Sequence, residues 1–330
     1  MSALCPSSEI ASRILKDDGI ILSQNKIREM SNSFNGLSFG ERAKLACDQR
    51  ESLEGKKVLL CVDGGRVNGR FTKKGPLPKN AKGRGFNAEW KEAKLFTLYI
   101  LKDDGEIDES FAPLVDGTVG DHQQLTKLLK EYLSILEVSK CKNITIVCDG
   151  ASWHWIRLPK LLKSLKVCKS KIIEVIDYMH AKQNLFEIIE NCGEGQSKTQ
   201  QNKLSKRFQD LLYLGEIEQL EVLIKTHSNS GHKRSNLQKL KSYFLKNKAR
   251  LNFQKLQNQG HPIGSGHVES AIRRIVNLRI KSPSTFWKLK NAEAMIYIRS
   301  QVLFGRWDIV MKNKREMTCN ELIKSNLNQN

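Results

Sequence analysis

Lys57-Val58-Leu59-Leu60-Cys61-Val62-Asp63-Gly64-Gly65 is an apolar run closed by an acid and two glycines. A strand buried on both faces reads this way, because neither face has to meet water. The pattern returns twice, in Asn143-Ile144-Thr145-Ile146-Val147-Cys148-Asp149 and in Lys171-Ile172-Ile173-Glu174-Val175-Ile176-Asp177. Between these runs the period changes to that of a helix. Leu125, Leu128, Leu129, Tyr132, Leu133 and Leu136 share one face of a helix over 121–138, and 153–165 reads as another. Strands alternating with helices of this length predict an α/β fold with a partly parallel sheet.

Working outward, Phe96, Leu98 and Ile100 alternate in a strand over 93–101, and Asp103-Asp104-Gly105 is a turn before a possible third strand. The Lys-, Gly- and Pro-rich stretch over 70–85 reads as an exposed basic loop. Residues 8–35 read as two short helices, the second capped by Ser23, either part of a helix-turn-helix or a two-helix linker. From His180 to Gln259 the pattern is helical and basic, jointed at Gly193-Glu194-Gly195 and Ser228-Asn229-Ser230-Gly231. His261-Pro262-Ile263-Gly264-Ser265-Gly266 is a turn that opens a final long helix through Arg279, and the polar tail beyond Lys312 is expected to lack fixed structure.

A chain of 330 residues with 39% hydrophobic residues has enough apolar surface for a real core. Its 55 Lys and Arg stand against 35 Asp and Glu, a formal charge of +20. Such an excess repels itself unless a polyanion neutralises it, so nucleic acid is the expected partner. A basic soluble protein of Lys- and Asn-heavy composition is the plainer alternative. The eight cysteines form no CxxC pair, which argues against a zinc ribbon, and the apolar settings of Cys61 and Cys148 read as buried thiols in a reducing compartment. No apolar run reaches the length of a membrane span and no signal peptide pattern opens the chain, so a cytoplasmic protein is expected.

Three apolar runs end in Asp63, Asp149 and Asp177, and strand ends in an open α/β sheet share one rim. Asp63 and Asp149 each precede a glycine, which permits close approach of backbone or ligand. Glu269, in the first turn of the helix after Gly266, shares a face with Ile272 and Val276 and turns toward the sheet. Alone, each acid reads equally well as a solvated strand-end Asp or a Glu complementing a helix dipole. Together, inside so basic a chain, they point to a divalent metal. Phosphodiester chemistry uses two magnesium ions roughly 3.5–4 Å apart, held by hard carboxylate oxygens.

Val62-Asp63-Gly64, Glu89-Trp90-Lys91-Glu92-Ala93-Lys94, Cys148-Asp149-Gly150-Ala151-Ser152-Trp153, Ile176-Asp177-Tyr178-Met179-His180-Ala181, Gly264-Ser265-Gly266-His267-Val268-Glu269 and Gly305-Arg306-Trp307-Asp308 follow one another in that order. The ordered set resembles the landmarks of insertion-sequence transposases of the ISKra type, related to the ISLre and Mutator-like groups. The likeness spans roughly residues 55 to 310. It implies a ribonuclease H-like core (55–181 and 260–311) with an all-helical insertion (182–259) before the last core helix. It also implies a catalytic, metal-binding triad of Asp63, Asp149 and Glu269, with Asp177 and His180 as accessory residues. The cofactor implied is Mg2+, two ions, with Mn2+ able to substitute. The partners implied are double-stranded DNA at terminal inverted repeats and at the target, engaged by a homodimer or higher oligomer on DNA in the nucleoid. Residues 1–54 stand where the family carries a larger DNA-binding region, which leaves a truncated copy open.

Arg273, Arg274, Arg279 and Lys281 follow Glu269 closely enough to neutralise DNA phosphates, though a solvated basic helix face reads the same way. Trp153, Trp155, Trp287 and Trp307 are candidates for base stacking and, more simply, for core positions. Ser152 and His154 occur without a nucleophile elbow. The function expected is cleavage at mobile-element ends and strand transfer to target DNA. The alternatives are a ribonuclease H-like nuclease that cuts without joining and an inactive DNA-binding remnant.

Overall fold

The first apolar run forms the middle of the sheet. In the computed structural model, which describes residues 1–77, 83–282 and 285–327 with side chains to 319, β1 (Lys57–Thr72) pairs on one side with β2 (Phe86–Leu101), antiparallel. β2 pairs antiparallel with β3 (Leu114–Thr118). On its other side β1 pairs in parallel with β4 (Asn143–Cys148), and β4 with β5 (Ile172–Ile176). The sheet order is therefore β3-β2-β1-β4-β5.

β1 does not stop at Asp63 as its glycines suggest. It continues to Thr72 as a two-stranded ribbon with β2, which starts at Phe86 rather than Ala93. The glycines mark close packing instead of a turn: a Cβ on Gly65 would lie 3.0 Å from Ile272 Cγ2 and 3.2 Å from Val276 Cγ1. The loop between the strands shrinks accordingly, and its residues 78–82 lie outside the described part of the chain.

Thirteen helices flank the sheet among the described residues. α1 (Ser8–Asp17), α2 (Gln24–Asn32) and α3 (Phe39–Ala46) precede it, with α2 capped by Ser23 as read from sequence. α4 (His122–Ile135) and α5 (Ser152–Ser164) cover one face, where Val58, Leu60, Val62, Ile144, Ile146 and Cys148 point. α4 alone buries Leu125, Leu128, Leu129, Tyr132 and Leu133 there, on the order of 10 kcal/mol of apolar transfer before chain entropy is charged against it.

Leu59, Cys61, Val147 and Val175 point to the opposite face, under α6 (Tyr178–Ile189), α7 (Lys198–Leu214), α8 (Ile217–His227), α9 (Lys233–Lys239) and α10 (Phe253–Asn258). Phe208, Leu212, Ile224, Phe244 and Phe253 of this basic block share one core with the sheet residues, so the block has no separate hydrophobic centre. α11 (Gly266–Ile272) is shorter than the long helix expected; it loosens into a π-turn over Arg273–Asn277. α12 (Leu289–Leu303) and α13 (Trp307–Leu327) close the chain. α13 corrects the expectation of an unstructured tail: its Lys, Glu, Met and Arg residues favour a helix without an apolar stripe, and Asn313 Nδ2 donates to the carbonyls of Leu45 and Cys47 at 3.0 Å. Among the described residues no helix is long and apolar enough to cross a membrane.

Candidate active site

The parallel register runs Leu60↔Ile146, Cys61↔Val147 and Val62↔Cys148 between β1 and β4, and Cys148↔Ile176 between β4 and β5. The next residue on each strand is an acid: Asp63, Asp149 and Asp177. Side chains alternate along a strand, so these three follow on the face of Cys61, Val147 and Val175. β1 continues past this point while β4 and β5 stop, which opens a rim beside Asp63. α11 packs on β1 and β2 and brings Glu269 to the same rim. Single ligand atoms of Asp177, His180 and Glu269 all lie within 4.8 Å of one another.

The four acids differ in how their oxygens are engaged. Asp63 Oδ1 accepts from Gly64 N at 2.7 Å. Asp149 Oδ1 accepts from Ala151 N at 2.9 Å. Glu269 Oε1 accepts from Ser265 Oγ at 3.4 Å. Each of these three keeps its other oxygen without a hydrogen-bond donor among the described residues. Asp177 uses both: Oδ1 accepts from His180 N at 2.7 Å, and Oδ2 from Ser265 N at 2.5 Å. It is buried, caps α6 and pins the turn before α11. Its arrangement is that of a brace between the helix carrying His180 and the helix carrying Glu269.

Electrostatics separates the acids further. Burial pushes the Asp63 carboxyl up; Gly64 N–H opposes this, and the Asp149 and Glu269 charges reinforce it. Burial also works against ionised Asp149 and Asp177, but their polar neighbours outweigh it and both lie below the usual carboxylate range. For Asp149 the main contribution is the close His154 imidazole, with Ala151 N–H as the aligned donor; for Asp177 it is His180. His180 Nδ1, 3.0 Å from Asp177 Oδ1, is pushed up to about 9 by that contact and by the Asp177, Asp63 and Asp149 charges, against burial. At neutral pH it is an imidazolium among carboxylates.

Two side chains of the site escaped the sequence reading. His154, set aside there as a nucleophile partner, is buried with Nδ1 2.9 Å from Asp149 Oδ1, although off the line of its ring N–H. Tyr243, whose sequence setting shows only that it belongs to the basic helical stretch, reaches in from the π-turn after α9, where its ring occupies the space a Cβ on Gly150 would need. Its hydroxyl is buried with no aligned hydrogen-bond partner among the described residues. The signal for Tyr243 was the glycine after Asp149, which announces a close approach without naming the neighbour.

The basic residues after Glu269 divide. Arg273 and Lys281 are exposed, whereas Arg274 lies over the Phe304 ring at 4.3 Å and Arg279 is buried over Trp287 at 5.3 Å.

No protein-family model matches the chain, and no curated protein matches it. Among solved structures, the Drosophila P element transposase strand transfer complex aligns at 13% identity with a TM-score of 0.29, over 92% of this chain and 77% of that one.

Proposed function

We propose that the chain is a DNA transposase of the three-carboxylate type, cleaving element ends and transferring strands to target DNA from a ribonuclease H-like core. The observation that carries the reading is the acid rim: Asp63 and Asp149 each follow the last registered pair of adjacent parallel strands, and Glu269, from a later helix, acts on Asp63 through its charge while its own ligand atoms group with Asp177 and His180. The strand order, three antiparallel then two parallel, is compatible with such a core. The ordered motifs and the net charge of +20 support the same reading.

The donor chemistry fits divalent metal. Asp63, Asp149 and Glu269 each anchor one oxygen and leave one hard oxygen for Mg2+ or Mn2+. When bound, two such ions supply the charge that activates an attacking water or 3′-hydroxyl and steadies the leaving oxygen. The protein's own part is positional. His154 orients Asp149, Tyr243 closes over Gly150, and Asp177 fixes the helix starts that carry His180 and Glu269.

The test is cleavage and joining of DNA carrying the native element ends by purified protein. Mg2+ or Mn2+ should be required, and chelator should stop the reaction. Asp63→Asn, Asp149→Asn and Glu269→Gln should each lower the rate by about 10²-fold or more while DNA binding persists. A folded Asp149→Asn protein cutting at the parent rate would overturn the assignment. Cutting without joining would reduce the activity to that of a nuclease.

A further inference from the structure

A cavity of about 500 Å³ opens between the start of α1, α2, the outer end of β1 and the segment leading into α12. It lies well away from the acid rim: Arg70, in its wall, follows Asp63 by seven residues along β1, about 23 Å at the rise of a strand. Arg28, Arg70, Arg279 and Lys288 line it, and no Asp or Glu does among the described residues. The walls are fixed by backbone hydrogen bonds, Arg70 N to Trp287 O at 2.7 Å and Trp287 N to Asn68 O at 2.9 Å.

Arg279 is the decisive group. It is 6% exposed, and its Nε has no hydrogen-bond partner among the described residues. Burial, together with the neighbouring Arg28 charge, holds its guanidinium below its ordinary pKa. A buried cation without a carboxylate is costly, and native proteins rarely keep one unless a ligand completes it. The ten-residue helix α1 starts at the same wall, Ser7 at its cap, adding the positive end of a helix dipole.

We propose that this cavity is an anion site that seats a phosphate group of a nucleic-acid strand, held by Arg28, Arg70 and Arg279. Guanidiniums carried on α2, β1 and the segment before Trp287, with Arg28 donating at 3.2 Å to the exposed Gln24 and Asn25 side chains and Arg70 resting on the Phe86 ring, match the several oxygens of a phosphate better than a planar carboxylate once the exposed pair turns inward. The volume exceeds one phosphate, and Phe286, 39% exposed at its edge, offers a face for the adjoining base.

The site is tested by calorimetric titration of the full chain at constant ionic strength, with chloride as the balancing anion and chelator present. One arm uses pyrophosphate and the other a short single-stranded DNA. Saturable binding is expected, weakened about tenfold or more by Arg28→Ala or Arg70→Ala, both exposed side chains, and by Arg279→Gln. Binding in the pyrophosphate arm alone would keep the anion site and assign it to free phosphates. Asp149→Asn should leave the titration unchanged, so failure of the cleavage chemistry and failure of this site are read separately. No saturable binding in either arm, or parent-like affinity in the Arg28→Ala, Arg70→Ala double variant, overturns the proposal.

Discussion

Asp63 and Asp177 end similar stretches of sequence yet stand in opposite physical situations. Asp177 accepts two backbone N–H groups while buried, so Asp177→Ala should cost about 3–5 kcal/mol, read as a shift of the urea midpoint. Burial and the neighbouring Asp149 and Glu269 charges disfavour the charged form of Asp63, so Asp63→Asn should leave the metal-free protein at least as stable as the parent. An Asp63→Asn protein markedly weaker than the parent would show that this acid is structural. Asp149 and Asp177 were legible as strand-end acids, whereas Asp63 was legible as an acid of the central strand but not as one that strand runs past. Their division of labour was not, because it depends on which oxygens meet N–H groups from distant turns. Gly150 illustrates the same limit. Gly150→Ala should destabilise by about 1–3 kcal/mol, and a Tyr243→Leu background should recover part of that loss in a double-mutant cycle. Thiols report burial independently. Alkylation of the native protein should modify Cys168 and Cys319 and spare the six buried cysteines. Cys168, held below its ordinary pKa by the Ser170 hydroxyl and N–H, should react at a lower pH than a free thiol does.

Elements that bury a continuous apolar run or a leucine face were readable from the chain, which is why β1, β4, β5, α4 and α5 appear where their patterns lie. The outer ribbon of β1 and β2 was hidden because only one partner strand covers it and its residues are mixed. α3 was hidden for a different reason: its signal is a capping box, Ser38 with Glu41, and not an apolar repeat. α3 is tied to the end of the chain by Arg306, which is fully buried, pairs with both Glu51 oxygens at 2.9 Å and donates to Ala46 and Ala112 carbonyls at 2.9 Å. Arg306→Met should cost about 3–5 kcal/mol, because Glu51 and the carbonyls lose their donor together. Chemical denaturation measures this, and a loss below about 1 kcal/mol would mean that water replaces the guanidinium.

At the scale of the whole molecule, the charge of +20 makes one demand that no single residue makes. Duplex affinity should fall at least ~10³-fold between ~50 and ~200 mM salt if the chain meets ~6–10 phosphates. Fluorescence anisotropy across that range measures the slope, and a flat response would remove nucleic acid as the partner. Charge and fold class were legible in composition and periodicity. The sharing of one core by the basic helices and the sheet was not, since periodicity shows that a face is apolar and not what covers it.

The long ties between early and late elements also set an order of events during synthesis. Arg42 holds Asp116 and reaches Glu293 at 2.8 Å, and Val115 O accepts from Gln301 across 186 residues. At about 5–20 residues per second, a nascent chain carries α3, β3 and their buried charges for roughly ten to forty seconds before α12 leaves the ribosome. Until then the central sheet lacks one cover and Arg42 lacks the second of its two carboxylates, Glu293. A ribosome stalled short of α12 should therefore display a protease-sensitive intermediate, and release of α12 should convert it to the resistant form.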